Sequence, residues 1–560
     1  MTEDASKLSA GVENDERAVE RLGRARDRIV SEIRKSIAGM NQVIEEMMIA
    51  VLLLLGIVAP AQAETFYVSV TGADAPDRDG RSWENAWKSL AHACERVAEG
   101  DHLIQLGQGT FPATAAARPK SGVTIAGSGC SGEGATHVVA SDAWLVSRGR
   151  SWQLPRVDNA KVTGVIDRPP ETKPEDECLI FLDKVRDVTV RDLVLGSPPE
   201  HRITGALLCR RSEGITVHDV RVHDFLWAGL TFENSSRVEV HDSTIENAST
   251  EKRRFHNGLI RTIWVKDSEF HHNRIVSDEG GGYGYKGGGH RNVRIHHNHI
   301  DVAGGFAIES AHENEFGVEI DHNYATGCIS IPKGGQGADP TKEGYGYSFW
   351  IHHNLLTDSY TVEGPRNHLH LSHNYIRIEK TGGRVYTQHG GVNHGPVWIH
   401  HNVVENVDRA LVWMNQGLAE NIFVYNNTVF CADAGDRVGA VLSSWTAERL
   451  NNWVAKNNLI VAPASQPRKL FPDQRGVPEK ITATDNVCVN VTGVPEGNHV
   501  GVEPGFCGEG QKPWPYFAPA GAASFLVDRG VDVGLPFEGR APDIGAYEFG
   551  VEASFPEVPE

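Results

Sequence analysis

The sequence predicts an all-β protein, a single-stranded right-handed parallel β-helix of about 10–12 coils that begins with a capping helix. Three observations predict this fold. A unit that reads apolar, polar, polar, asparagine recurs about every 25 residues, short alternating strands lie between its copies, and helical periodicity is absent there. Each coil of such a solenoid buries its apolar side chains against its neighbours, so 560 residues can form one long domain.

The repeat unit is clearest in the middle of the chain, where eight copies end on an asparagine and lie 20 to 31 residues apart. We expect these asparagines to stack at one turn, where each side chain would bond backbone groups of the next coil. The eight copies end at Asn273, Asn298, Asn323, Asn354, Asn374, Asn402, Asn427 and Asn458.

The chain divides into five predicted segments. The apolar run ending in Ala61-Gln62-Ala63 is typical of a signal peptide and is too short to span a bilayer, so we expect a secreted or periplasmic mature protein without a membrane span. The segments are 1–46, a charged helical extension from a gene fusion or a misplaced start codon; 47–63, the signal peptide; 64–120, the entry and cap; 121–550, the β-helix; and 551–560, a tail.

The N-terminal extension carries a resemblance of its own. Residues 33–50 resemble the N-terminal helices of MoxR-type AAA ATPases. The chain contains no Gly-Lys dipeptide and therefore no Walker A loop, so an ATPase is excluded.

A capping helix is predicted between residues 82 and 97, because an open β-helix end would expose unpaired strand edges. Its apolar positions recur at helical spacing and define one face. These positions are Trp87, Leu90, Ala91, Cys94 and Val97.

Both ends of the predicted β-helix carry family-like motifs. The entry contains residues 66–74, Asp79-Gly80, Trp87, Gly100-Asp101 and residues 109–111, and the C-terminal end contains residues 542–549. With the repeats, these motifs resemble the pectate-lyase-like right-handed β-helix superfamily over residues 64–550. The resemblance implies a secreted carbohydrate-active protein, and members include polysaccharide lyases, glycoside hydrolases, uronan epimerases and non-catalytic surface proteins.

The catalytic motifs of the main families in this superfamily are absent from the sequence. We find no Asp-rich calcium motif or Arg-Pro signature of pectate lyases, no polygalacturonase set and no Asp-Pro-His-Asp motif of mannuronan epimerases. No catalytic residue is therefore transferred from a relative, and the candidate site depends on the repeats.

Composition limits the partners. The formal net charge of −19 argues against nucleic acid, whereas a local basic patch could still bind an anionic polysaccharide. The eight cysteines fit either disulfides or buried thiols, and Cys488 with Cys507 is the first pair to test.

The resemblance implies that substrate binds along a groove over one parallel sheet. We therefore aligned the outward residue at the second strand of each coil, which gives a polar column, and aromatic and charged residues flank it. A solvent-exposed ladder of paired charges is the structural alternative. The column is Glu233, Arg261, Lys286, Glu309, Lys333, Glu363, Gln388 and Asn415, and its flanks include Tyr283, Tyr285, His290, His312, Arg366, Tyr386, His389 and Trp413.

Two mechanisms fit this column. In a lyase, the cations Arg261, Lys286, Lys333 and Arg366 would neutralise a uronate carboxylate. A lysine or arginine of lowered pKa would then act as base, and Tyr386 or His389 would protonate the leaving oxygen. In an inverting glycoside hydrolase, Glu309 and Glu363 would be the acid–base pair, two coils and roughly 10 Å apart. The lyase is favoured because three cations lie in the column, and a non-catalytic glycan-binding protein is the third interpretation.

The His-His-Asn units raise the question of a metal. Adjacent histidines on a strand are expected to point to opposite sides, so we expect no chelate from them. Stacked histidines from successive coils could bind a metal, but a structural stack is favoured. Calcium bound by groove carboxylates remains an alternative, with no ligand set fixed by the sequence.

Overall fold

The residues that the computed structural model describes begin at 63, the last residue of the predicted signal peptide. The predicted extension and signal peptide, residues 1–62, and the tail beyond 551 lie outside the described residues. The described residues are 63–141, 144, 178–198, 203–225, 227–247, 258–277, 283–310, 312, 315–331, 340–357, 360–363, 367–378, 384–393, 395–407, 409–432, 440–444, 450–472, 480–506 and 517–551. Among these residues, no helix is long and apolar enough to cross a membrane.

The N-terminal entry contains a short helix, α1 (Leu90–Arg96), whose N-cap Ser89 accepts a hydrogen bond from the backbone N–H of His92. Trp87, Leu90, Cys94 and Val97 are buried as predicted. Ala93, rather than the predicted Ala91, completes the buried face. The capping helix is therefore confirmed.

Apart from α1, the described elements are almost entirely strands. The first strands are β1 (Thr65–Val68), β2 (Leu103–Leu106), β3 (Gly109–Ala113), β4 (Thr124–Ala126), β5 (Thr136–Ala140), β6 (Cys178–Asp183), β7 (Arg186–Gly196), β8 (Gly205–Arg210), β9 (Glu213–Val222), β10 (Leu230–Glu233), β11 (Ser236–His241), β12 (Thr244–Asn247), β13 (Gly258–Ile263), β14 (Lys266–His271), β15 (Arg274–Ser277), β16 (Tyr283–Gly288), β17 (Arg291–His296) and β18 (His299–Ser310). They are followed by β19 (Phe316–Asp321), β20 (Tyr324–Ser330), β21 (Phe349–His352), β22 (Leu355–Thr357), β23 (Tyr360–Glu363), β24 (Leu369–Ser372), β25 (Tyr375–Arg377), β26 (Arg384–Asn393), β27 (Val397–His400), β28 (Val403–Val407), β29 (Ala410–Tyr425) and β30 (Thr428–Cys431). The last are β31 (Leu442–Ser444), β32 (Leu450–Lys456), β33 (Leu459–Val461), β34 (Arg468–Lys469), β35 (Ile481–Thr484), β36 (Val487–Val489), β37 (Val491–Thr492) and β38 (His499–Val500).

The strands pair in parallel with strands one coil away and form three long sheets, so the predicted parallel β-helix is confirmed. Sheet 1 contains β6, β8, β10, β13, β16, the ends of β18 and β20, β23, the starts of β26 and β29, and β31. Sheet 2 contains β1, β2, β4, the starts of β7 and β9, β11, β14, β17, β19, β21, β24, β27, the end of β29, β32 and β35. Sheet 3 contains β3, β5, the ends of β7 and β9, β12, β15, the starts of β18 and β20, β22, β25, β28, β30, β33, β36 and β38.

The turn between sheets 2 and 3 carries the predicted asparagine ladder. In its middle, Asn354 Nδ2 donates to Asn374 Oδ1 (2.9 Å) and to the carbonyl of Ile320 (2.9 Å), while Asn354 Oδ1 accepts from the backbone N–H of Asn323 (3.0 Å). The same bonds link the other members, and Asn486 and Asn498 extend the ladder beyond the predicted eight. These bonds satisfy buried polar groups that would otherwise destabilise the turn.

The C-terminal segment packs against the outside of sheet 3. The backbone N–H of Ala546 donates to Thr428 Oγ1 (2.9 Å), and Tyr547 lies in one apolar cluster with Leu355, Tyr375 and Val403. Sheet 3 is therefore partly covered by the chain itself, which leaves sheets 1 and 2 as candidate binding faces.

Candidate functional site: the groove column of sheet 1

The register of sheet 1 brings the predicted column residues together across successive strands. Arg261 pairs with Lys286, Lys286 with Glu309, Glu309 with Ser330 and Ser330 with Glu363. We call this set, with Glu233 beside Arg261, the groove column. Residues 21 to 33 positions apart in sequence are thus neighbours.

Three predicted column positions are corrected by the register. Ser330 stands between Glu309 and Glu363, where Lys333 was expected, and Thr387 and Trp413 follow, where Gln388 and Asn415 were expected. Loops of unequal length precede these strands, so counting about 25 residues per coil misplaces the column by one to three residues.

Several predicted residues cannot be placed. Lys333 and Arg366 lie outside the described residues. The strands that carry Glu363, Gln388, His389 and Asn415 are described, but their side chains are not. Among the flanking members that the structure places, His312 and Trp413 lie beside aromatic and cationic partners. His312 packs against Trp264 with ring centroids 4.3 Å apart, and the guanidinium of Arg384 lies 3.5 Å above the Trp413 ring.

The described charged side chains of the groove column form ion pairs of opposite sign. Arg210 Nε lies 2.8 Å from Glu233, and Arg261 binds the other oxygen of that carboxylate at 2.9 Å. Lys286 Nζ lies 3.1 Å from Glu309 Oε1. Arg210, which the sequence analysis missed, lies 23 residues before Glu233 and could have been found by extending the column one coil upstream.

Aromatic rings lie directly under the two adjacent cations. Arg261 sits 4.6 Å above the ring of Trp227, and Lys286 Nζ sits 3.9 Å from the ring centre of Tyr283. Tyr283 stacks on Phe306 of the next coil, with ring centroids 5.2 Å apart. These contacts hold both cations beside the strand and stabilise them.

Burial and the neighbouring carboxylate of Glu309 have opposite effects on the pKa of Lys286. Partial burial lowers the pKa of the Lys286 ammonium and nearby Arg261 lowers it further, whereas Glu309 raises it; the net direction is below the ordinary lysine value. Only 21% of the Lys286 side chain and 12% of the Glu309 side chain are exposed. The amine is therefore easier to deprotonate than a surface lysine.

Tyr285 and Tyr386 are not groove residues, which corrects their predicted roles. Both side chains are fully buried in the core. Tyr285 OH accepts a hydrogen bond from Thr262 Oγ1 (2.7 Å), and Thr262 also contacts His290 Nε2 (2.7 Å). Tyr285 directly precedes the outward Lys286, so alternation along the strand directs it inward, where it cannot reach a polymer outside.

The histidine pairs lie on sheet 2 and its following turn, away from the groove column. The second histidine of each pair stacks on its counterpart in the next coil, as His353 does on His373 with centroids 5.0 Å apart. Adjacent histidines do not point to opposite sides as expected, because the second has a left-handed backbone (His353, φ 52°). The Nδ1 atoms of His352 and His353 are consequently 2.8 Å apart.

Metal-capable groups among the described residues also lie on sheet 2 and its turn. They are Glu269 with His271 and His296; His297 with Asp321 and His322; and Glu319 with Asp321 and His352. In the described part of the groove column, Glu233 and Glu309 are bound to arginine and lysine, so those two carboxylates do not form a calcium site.

The cysteines favour the thiol alternative where they are described. Cys94, Cys209, Cys431 and Cys488 are buried thiols, and burial raises the pKa of each, to about 12 for Cys488. Cys507, the predicted partner of Cys488, lies outside the described residues.

The three sheets and the paired coils define the class of protein. Residues 204–337 match the family described as "Right handed beta helix region". The fold of the chain is therefore a right-handed parallel β-helix, as the sequence predicted.

Solved structures with a similar backbone are proteins of different kinds. A complex of XylC with xylose is 11% identical, with a TM-score of 0.45 over 79% of this chain and 86% of that chain. The surface adhesin PfbA of Streptococcus pneumoniae is 11% identical (TM-score 0.43, 64% of this chain and 88% of that chain). The PL6 family alginate lyase AlyGC is 12% identical (TM-score 0.41, 78% and 53%). No curated protein matches the sequence, and at these identities no structure assigns an activity to the chain.

Proposed function

We propose that the protein is a secreted polysaccharide lyase that cleaves a uronate-containing polymer by β-elimination in the groove over sheet 1. The observation that carries the proposal is the pair of adjacent cations, Arg261 and Lys286, between the carboxylates Glu233 and Glu309. A uronate carboxylate needs a cation beside it while the neighbouring carbon loses its proton. The arginine can be the cation beside the carboxylate, and the adjacent lysine can accept the proton.

In the proposed reaction, Arg261 neutralises the substrate carboxylate and the free amine of Lys286 removes the proton from the carbon next to it. The electron pair of that C–H bond forms a carbon–carbon double bond, and the C–O bond to the leaving sugar breaks. The leaving oxygen takes a proton from water or from a residue such as His389. The products are one new unsaturated chain end and one new hydroxyl end.

The pH dependence follows from the state of Lys286. A base must be deprotonated, so activity should rise with pH through the pKa of the Lys286 ammonium. Because that pKa is lowered from about 10.5, the midpoint of this rise in activity should lie below the pKa of an ordinary lysine. Initial rates across a pH series check this; a rate that falls on going from neutral to alkaline pH would contradict it.

An inverting glycoside hydrolase is the second candidate, favoured by one observation. Glu309 and Glu363 are separated by a single intervening strand residue, Ser330, which corresponds to about 10 Å by strand spacing. This is near the upper end of the separation between the two carboxylates of inverting enzymes. In this case Glu309, beside Lys286, would be the general base.

A polysaccharide panel distinguishes the candidates. Ultraviolet absorbance from unsaturated ends indicates a lyase, new reducing ends without that absorbance indicate a hydrolase, and neither signal over a broad panel favours glycan binding alone. Replacing Lys286 with Met should lower the lyase rate by about 10²–10⁴-fold. The matched control Lys266→Met, an exposed lysine of sheet 2, should retain the wild-type rate. Full activity of Lys286→Met would exclude the proposed base.

A separate proposal concerns localisation. We propose that residues 47–63 are removed on export, because the apolar run precedes an Ala-x-Ala site. N-terminal sequencing of the protein from a culture should begin at Glu64. Recovery of the intact chain in the cytoplasm alone would contradict export.

A further inference from the structure

Sheet 2 carries a cluster of metal-ligating side chains that the groove mechanism does not use. His271 at the end of β14 pairs with His296 at the end of β17, and their rings stack with centroids 4.9 Å apart. Glu269 lies two residues before His271 on the same strand. One ligand atom from each of these three residues lies within 4.8 Å of the other two.

His296 supplies an independent observation. Its side chain is only 9% exposed, and its buried Nε2 makes no hydrogen bond within the described part of the chain. The nearby carboxylate oxygen Glu269 Oε2 is 3.5 Å away. A buried nitrogen left without a bonding partner is costly, so this atom suits a ligand that the chain does not itself supply.

The other ring nitrogens of the two histidines are already in use. His271 Nδ1 contacts His272 Nδ1 at 2.8 Å, and His296 Nδ1 contacts His297 Nδ1 at 2.9 Å. Histidines that bind metals are usually oriented in this way, by a partner on the ring nitrogen that does not bind the metal. His296 Nε2 is the ring nitrogen near the Glu269 carboxylate, and His271 Nε2 contacts Oε1 of the neighbouring Glu239 at 3.2 Å.

We propose that Glu269, His271 and His296 bind one divalent transition-metal ion, with Zn²⁺ the best match. Two imidazoles and one carboxylate are a set that zinc accepts, with water in the fourth position. Glu239, beside His271, adds negative charge to the site. The ion would join two successive coils on the side of the β-helix that does not carry the groove column.

The neighbouring acidic cluster provides a built-in contrast. Glu319, Asp321 and His352 also come close together, but Arg294 already binds Asp321 through two hydrogen bonds (2.8 and 2.7 Å) and lies 3.7 Å from Glu319. The backbone of Arg294 pairs with Glu269, but its side chain turns toward Asp321. The positively charged guanidinium therefore lies within the cluster of Glu319, Asp321 and His352. A second cation is therefore disfavoured there.

Titration of Zn²⁺ into untagged, chelator-treated protein by isothermal calorimetry tests the proposal. We expect one ion per chain at this site, and Glu269→Gln and His296→Gln should each weaken its affinity by roughly tenfold or more. The matched control His352→Gln should bind zinc as the wild type does. Glu269→Gln changes a partly exposed side chain, and its circular dichroism spectrum checks that the fold is kept.

Three results would overturn the proposal. They are the absence of zinc binding by the wild type, wild-type affinity in a folded Glu269→Gln variant, and loss of binding in His352→Gln but not in Glu269→Gln. A second readout is the thermal midpoint, which zinc should raise in the wild type and in His352→Gln but not in Glu269→Gln. Polysaccharide cleavage plays no part in either readout, so this test is independent of the proposed lyase function.

Discussion

The turn between sheets 2 and 3 and the groove column of sheet 1 are both built from one residue per coil, yet they differ in regularity. At the turn, asparagine repeats with the same bonds from Asn273 to Asn498. In the groove column, arginine, lysine, glutamate, serine and threonine succeed one another. The comparison indicates that the buried turn requires asparagine in every coil, because the side chain must bond the backbone there. The residue type in the outward column can vary from coil to coil and can therefore be adapted to binding.

The largest predicted effect concerns the turn. Asn354→Ala would leave the side-chain amide and backbone N–H of Asn323 without their acceptor and would remove three donated bonds. Each buried group left unsatisfied costs about 1–3 kcal/mol, so we expect a loss of about 3–5 kcal/mol in the free energy of unfolding. Denaturant unfolding measures it.

The control for this prediction is Asn451→Ala, an exposed asparagine of β32 that bonds only at the surface, to Glu420 (3.1 Å). It should change the free energy of unfolding by about 0.5 kcal/mol or less. Equal losses in the two variants would remove the distinction between the buried turn and an ordinary surface position.

In the groove column we expect a functional effect with little loss of stability. Arg261→Met removes the cation proposed to neutralise the substrate, while Glu233 keeps its contact with Arg210. We expect kcat/KM on the polymer that the panel identifies to fall about tenfold or more, equivalent to about 1.4 kcal/mol, with an almost unchanged unfolding midpoint. Arg237→Met, an exposed arginine of sheet 2, serves as the control. A marked stability loss in Arg261→Met without a kinetic effect would make the column a structural ion ladder.

The smallest predicted effect is a pH dependence of stability at the turn. Burial lowers the pKa of His353 to about 4 and that of His373 to about 3. Unfolded histidine gains a proton below about pH 6.5 while the folded stack does not, so the stabilisation is complete above pH 6.5 and is lost as the pH falls toward 4. The thermal midpoint of unfolding should therefore decrease as the pH is lowered from 6.5 toward 4.

His373→Asn sharpens this prediction, because Asn426 and Asn457 hold the equivalent left-handed position in later coils, with φ of 49° and 56°. The variant should lose less stability between pH 7 and pH 4 than the wild type does. His137→Asn, on β5, should show the wild-type slope. An unchanged slope in His373→Asn would mean that the stack does not determine the acid sensitivity.

Much of the fold was predictable from sequence, and the reasons differ by region. The turn asparagine occupies a fixed place in each coil, so its stacking followed from spacing alone. Arg261, Lys286 and Glu309 were placed correctly as neighbours because the coils that carry them have similar lengths. Ser330, Thr387 and Trp413 were missed as column members because longer or shorter loops precede them. Tyr285 and Tyr386 were wrongly assigned to the groove, because the alternation of side chains along their strands directs them inward.

The central claim is that neighbouring coils, rather than neighbouring residues, build the groove column. The most direct test is disulfide formation in Glu309→Cys/Ser330→Cys, whose positions are paired on adjacent strands. Mild oxidation should link these two cysteines, as mass spectrometry of the peptides would show, because paired strands bring Cα atoms about 5 Å apart. Lys286→Cys/Ser330→Cys, two strands and about 10 Å apart, should remain unlinked. Efficient linkage of the second pair, with none in the first, would contradict the register and with it the proposed site.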